Sequence, residues 1–139
     1  MVSDRSPRSE ARATLGGFEI SRRAEPETVT AFRHRAAAFA AEVGADADRV
    51  SDVVLAVSEA TTNAVKYAYD DEEEGTVNLS ATVEDRWLTL RIADHGTGFR
   101  SGPSGGLGLG LAIIARLCDD LRIVQEGLGT QVVMRFVLA

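Results

Sequence analysis

Val57-Ser58-Glu59-Ala60-Thr61-Thr62-Asn63-Ala64-Val65-Lys66 lies within the longest helical pattern of the chain. At about 100° per residue, Val50, Val53, Val57, Thr61, Ala64 and Ala68 share one apolar face. Asp46 or Asp48 can cap the start, and the pattern runs to about Tyr69. Glu59 and Asn63 are four apart, so they stack together, well away from the centre of that face. A solvated pair and the polar half of a site have this same spacing, and the helix alone does not choose between them.

Upstream, a helical pattern opens at Pro26, where a first turn tolerates proline, and runs to about Val43 before Gly44 stops it. Phe18-Glu19-Ile20-Ser21-Arg22 alternates as a strand. Residues 1–16 are polar and aperiodic and are expected to form a flexible tail, with residues 17–139 as the domain.

Downstream of the acidic turn Asp70-Asp71-Glu72-Glu73-Glu74-Gly75, strands are predicted at Thr76–Val83 and Trp87–Ala93, joined by Glu84-Asp85-Arg86. A Gly-rich loop from His95 to Gly106 leads to a helix at about Leu107–Cys118. Leu121–Gln125, a turn at Gly127-Leu128-Gly129, and Thr130–Leu138 form a last strand pair. The order β-α-α-β-β-loop-α-β-β predicts an α/β (α+β) two-layer sandwich. Its sheet is expected to be mixed but mostly antiparallel, with the helices on one face.

The 139 residues, 45% hydrophobic and 26% charged, suit one globular domain. A net charge of −6 argues against nucleic-acid binding, which draws its affinity from Lys and Arg. No apolar run approaches the roughly 20 residues of a membrane span, and the first residues lack a signal-like stretch. Cys118, the single cysteine, cannot form an internal disulfide, so a reducing cytoplasmic setting is expected. Cys118 and His34 read as packing and surface residues.

Two further constellations follow. The strand Leu88-Thr89-Leu90-Arg91-Ile92-Ala93 ends in Asp94, and the chain then passes His95, Gly96 and Gly98. An aspartate beside glycines can accept hydrogen bonds from a ligand amine while the backbone approaches closely; an ordinary turn uses the same residues. In Gly105-Gly106-Leu107-Gly108-Leu109-Gly110, glycine and leucine alternate into a helix start. Each helical glycine costs about 0.5–1 kcal/mol against alanine, so the run needs a reason: an anion cradle of free N–H groups, or close packing. Walker A is excluded because the only lysine, Lys66, follows Val65. The dinucleotide fingerprint fails because Leu111 stands where a glycine is required, and metal-cluster spacing is absent.

In order, Glu59-x-x-x-Asn63, Asp94-x-Gly96-x-Gly98, the Gly106–Gly110 run and Gly129-Thr130 closely resemble the ATP-binding domain of the GHKL (Bergerat-fold) ATPases. Ser58-Glu59-Ala60-Thr61-Thr62-Asn63-Ala64-Val65-Lys66-Tyr67-Ala68-Tyr69 looks like the bacterial anti-sigma-factor serine kinases within that group. The resemblance spans Phe18 to Leu138. It implies Glu59 as general base, Asn63 as the Mg²⁺ ligand beside ATP, and Asp94 as acceptor of the adenine amine. Gly96 and Gly98 would shape the adenine pocket, and Thr130 would support it. Gly106, Leu107, Gly108, Leu109 and Gly110 would lie at the phosphates.

The implied protein is a partner-switching regulator that binds a sigma factor as a homodimer and phosphorylates a serine of a STAS-domain antagonist. Two departures stand out: Tyr67 replaces the family's frequent His, and the loop between Asp94 and Gly106 is short, with Ser104 near the place of a phosphate-reaching Arg. Arg100 can substitute from within that loop. The short loop leaves open a nucleotide-sensing binding module with little transfer activity. A detached histidine-kinase catalytic domain fits less well, because no phospho-accepting helix is present.

Overall fold

The structure, a computed structural model, describes residues 16–67, 75–95, 107–126 and 129–138. Strand β1 (Gly17–Arg23) is followed by α1 (Pro26–Glu42) and α2 (Ala47–Tyr67). Then come β2 (Thr76–Glu84), β3 (Trp87–Asp94), α3 (Leu107–Leu117), β4 (Asp120–Glu126) and β5 (Gly129–Val137). The element order is the one read from the sequence.

The helix ends follow local chemistry. Pro26 opens α1 at a position where a missing N–H costs nothing. Gly44, at φ +105°, donates to Ala41 O while Ala45 N donates to Ala40 O, which closes α1 with the two bonds of a Schellman turn. Of the two capping candidates, Asp46 is the cap: its Oδ1 accepts from Arg49 N at 2.9 Å. Asp48 lies inside the first turn, where its charge suits the positive helix end.

The five strands form one sheet in the order β1-β2-β3-β5-β4. All four neighbouring pairs are antiparallel, which corrects the expected mixed sheet. The one helix between β3 and β4 does return the chain in the direction of β3, and β4 therefore runs parallel to β3. However, β5 turns back at Gly129 and inserts between the two, so β3 and β4 never pair. Between β1 and β2 the chain makes three connections through two helices, an odd number of reversals, and that pair is antiparallel as well. The β2–β3 link is also tighter than read: Glu84 pairs with Trp87, and Asp85 and Arg86 turn alone with φ of 54° and 71°. Two positive φ values match the type I′ turn that favours a twisted hairpin. Arg86 is held there by Leu138 N, which donates to its carbonyl at 2.7 Å.

One face of the sheet carries the core. Phe18, Val77, Leu79, Leu88, Leu90, Ile92, Met134 and Phe136 are buried against Phe32, Ala36 and Phe39 of α1, Val53, Val57 and Ala64 of α2, and Ile114 of α3. Alternation along β3, with Leu88, Leu90, Ile92 and Asp94 inward, sends Trp87, Thr89 and Arg91 to the open face. Arg135 on that face stacks 4.1 Å above the Trp87 ring. Ala56 and Ala60 of α2, outside the face read from the sequence, are also buried, because α3 covers the helix from a second side.

Arg49 ties the far ends together. It donates to Val137 O, Leu117 O, Asp52 Oδ2 and Asp119 Oδ2 at 3.2, 3.4, 3.2 and 2.8 Å, joining α2, α3 and β5. Among the described residues, no helix is long and apolar enough to cross a membrane.

Candidate nucleotide site

Two clusters form at the end of the sheet where β2 begins and β3 finishes. In the first, Glu59 and Asn63 project from α2 onto Gly110 in α3. A Cβ built at Gly110 would stand 2.9 Å from Asn63 Nδ2, 3.2 Å from Glu59 Oε2 and 3.5 Å from Asn63 Oδ1. A glycine in a helix interior therefore has its reason here, since the missing side chain makes room for a carboxylate and a carboxamide. Of the two readings of the glycine run, close packing is the one seen at Gly110. Both Glu59 and Asn63 are half-buried, so neither is the freely solvated pair that helical spacing alone permits.

The second cluster is Asp94 at the end of β3 and Thr130 at the start of β5, paired across the ladder and both buried. Val77 of β2 is the partner of Asp94 on its other side. Gly129, read from the sequence as a turn residue beside Thr130, is also the residue that lets β5 close on Asp94. A Cβ there would meet Asp94 O at 2.5 Å. A cavity of about 90 Å³ opens beside the pair, lined in part by Asp94, His95, Gly129 and Thr130. A larger concavity of about 580 Å³ lies on the open face of the sheet, around Trp87, Arg91 and Arg135. It contains none of the predicted site residues.

Helix α2 packs on β3, and α3 packs on α2. Leu107 and Gly108 open α3, with Leu109 in the same first turn, whose N–H groups lack partners within the helix. Gly96, Gly98 and Gly106 lie outside the described residues, as do Arg100, Ser104 and residues 68–74. Among the described residues no group of three His, Cys, Asp or Glu side chains could hold a metal. Where a ligand brings oxygens of its own, Asn63 is a side chain that could share a cation with them. Magnesium is commonly held in this way, by one or two protein groups plus phosphates. His34 is exposed on α1, and Cys118 is half-buried, where burial pushes its thiol up from the ordinary range.

The site so far described is a half-buried carboxylate beside a carboxamide, packed on Gly110, and a buried aspartate at a strand end. Residues 22–136 match the histidine kinase-like ATPase domain family, and the chain belongs to it. Within the family, the chain is 31% identical to an anti-sigma F factor of Clostridium acetobutylicum over 131 residues, covering 85% of this chain and 91% of that one. It is 35% identical to the serine-protein kinase RsbW of Bacillus velezensis over 134 residues, covering 84% and 82% respectively. The crystal structure of the RsbU and RsbW domains of Rv1364c from Mycobacterium tuberculosis superposes with a TM-score of 0.72 at 25% identity. The match covers 88% of this chain and 32% of that longer one.

Proposed function

We propose that the chain is an anti-sigma factor and serine kinase that binds Mg-ATP and transfers its γ-phosphoryl group to a serine of a STAS-domain antagonist. The observation that carries this reading is the convergence of Glu59 and Asn63 on the space left by Gly110. Kinship with relatives named anti-sigma F factor and serine-protein kinase RsbW supports both activities. In this reading the chain works in the cytoplasm as a homodimer and holds its sigma factor while nucleotide is bound.

Bound Mg-ATP supplies the electrophilic phosphorus and the metal charge that offsets its oxygens. The chain supplies position and a base, which is most of what phosphoryl transfer asks of a protein. The Glu59 carboxylate accepts the proton of the serine hydroxyl as the new O–P bond forms and the bond to the ADP oxygen breaks. Asn63 offers its carboxamide oxygen to the cation, a hard donor suited to Mg²⁺. Asp94 accepts a hydrogen bond from the adenine amine, and Thr130 flanks it. The first turn of α3 presents its N–H groups to the phosphates.

The test is incubation with labelled ATP, Mg²⁺ and STAS-domain proteins, followed by phosphoserine analysis. Wild-type protein is expected to label one of them, and Glu59→Gln to bind ATP yet leave it unlabelled. Transfer by the Gln variant would remove Glu59 as base. Nucleotide binding without transfer by the wild type would favour the nucleotide-sensing module instead.

A further inference from the structure

Leu55 and Ile113, 55% and 37% exposed, are two of the three large apolar side chains exposed among the described residues. Their places in the fold are related. Arg49 near the start of α2 reaches Leu117 O at the end of α3, and Glu59 and Asn63 further along α2 lie against Gly110 near the start of α3. The two helices therefore run antiparallel. Leu55 falls midway between the contact positions on α2, and Ile113 midway between those on α3. The uniform helical rise places them at the same level, on either side of the seam.

Both stand on its solvent side. The sheet-facing positions of α2 are Val53 and Val57, which are buried, and those of α3 are Leu111 and Ile114, which pack on the core. Leu55 also precedes Glu59 by one helical turn on the same edge of α2. An apolar pair thus borders the carboxylate proposed as base.

We infer that Leu55 and Ile113 anchor the protein substrate, receiving apolar side chains that flank its acceptor serine. The inference rests on the reading of Glu59 as base. A serine on a folded protein reaches that carboxylate only if the surface around it settles on what surrounds Glu59. This pair borders Glu59 on the same helix edge, and apolar side chains grouped beside a site, unlike ones scattered singly, mark contact with another protein. A second copy of the chain seated here would cover Glu59 and block transfer, so the occupant that fits a kinase is its substrate. Anchors of this kind set KM and leave the chemical step alone.

The experiment measures steady-state transfer to a STAS-domain protein that the wild type phosphorylates, using the double variant Leu55→Gln/Ile113→Gln. KM for the protein substrate is expected to rise at least tenfold, while kcat, Mg-ATP affinity and Tm stay unchanged. The conservative pair Leu55→Met/Ile113→Val should restore KM. An unchanged KM would overturn the inference while leaving Glu59 as base. A change in self-association with KM unchanged would assign the pair to a second copy and equally overturn it. A wild type that transfers to no such protein would bring down the kinase reading first and this one with it.

Discussion

Replacing Gly110 by alanine sets two effects of different kind against each other. Alanine in a helix is favoured over glycine by about 1 kcal/mol. Against this, the new methyl group would stand 2.9 Å from Asn63 Nδ2 and 3.2 Å from Glu59 Oε2, where ordinary contact begins at 3.4 Å. Both contacts are the far ends of flexible side chains, so they can swing away without moving backbone, and the fold keeps most of the gain. Tm should rise by about 3–5 °C for a domain of this size. The displaced carboxamide and carboxylate, however, are the groups assigned to cation and proton. A misplacement on the order of half an ångström to one ångström lowers transfer by about tenfold to a hundredfold, or 1.4–2.7 kcal/mol. Scanning calorimetry and the labelled-phosphate assay on one preparation read the two effects separately. A Gly110→Ala protein that is more stable and transfers at the wild-type rate would refute the placement of the site.

Three further outcomes follow from the same geometry. Asp94→Asn should weaken ATP by about 1–3 kcal/mol, some 5- to 150-fold, by leaving the adenine amine mispaired; equal affinities for ATP and GTP in the wild type would discredit that contact. Gly129→Ala pushes a methyl group to 2.5 Å from Asp94 O, a backbone atom that cannot swing aside. It should cost about 1–3 kcal/mol in urea unfolding and weaken ATP as well, whereas a neutral result would mean that β5 closes elsewhere. Arg49→Ala removes the donor shared by Leu117 O and Val137 O and should lower stability by about 2 kcal/mol. Its ion pairs are partly exposed and add little, and nucleotide affinity should not change.

How much of this was legible in the sequence depends on range. Element order and the Gly44 stop are local, and local chemistry decided them, while the choice of Asp46 over Asp48 as cap came from the structure. The ordered spacing of Glu59, Asn63, Asp94 and the glycines carried the resemblance to the family, which the match over residues 22–136 bears out. What stayed hidden was set by elements far apart in the chain. The insertion of β5 between β3 and β4 turned an expected mixed sheet antiparallel, and nothing in either strand announces its neighbour. That Gly110, rather than any other glycine of the run, faces Glu59 and Asn63 follows from the seating of α3 on α2. The second buried side of α2, at Ala56 and Ala60, has the same origin. That Leu55 stands outside the apolar face follows from helical spacing, but that nothing among the described residues covers it emerged only in the fold.

The central claim is that magnesium nucleotide lies between α2 and the start of α3, with its cation on Asn63. Calorimetric titration of the wild type and of Asn63→Ala with ATP, each with Mg²⁺ and with EDTA, tests it directly. The wild type should bind one ATP per chain, more tightly with Mg²⁺, and the variant should lose that dependence on the metal. A wild type that takes up no nucleotide, or a variant with the full metal effect, would contradict the account.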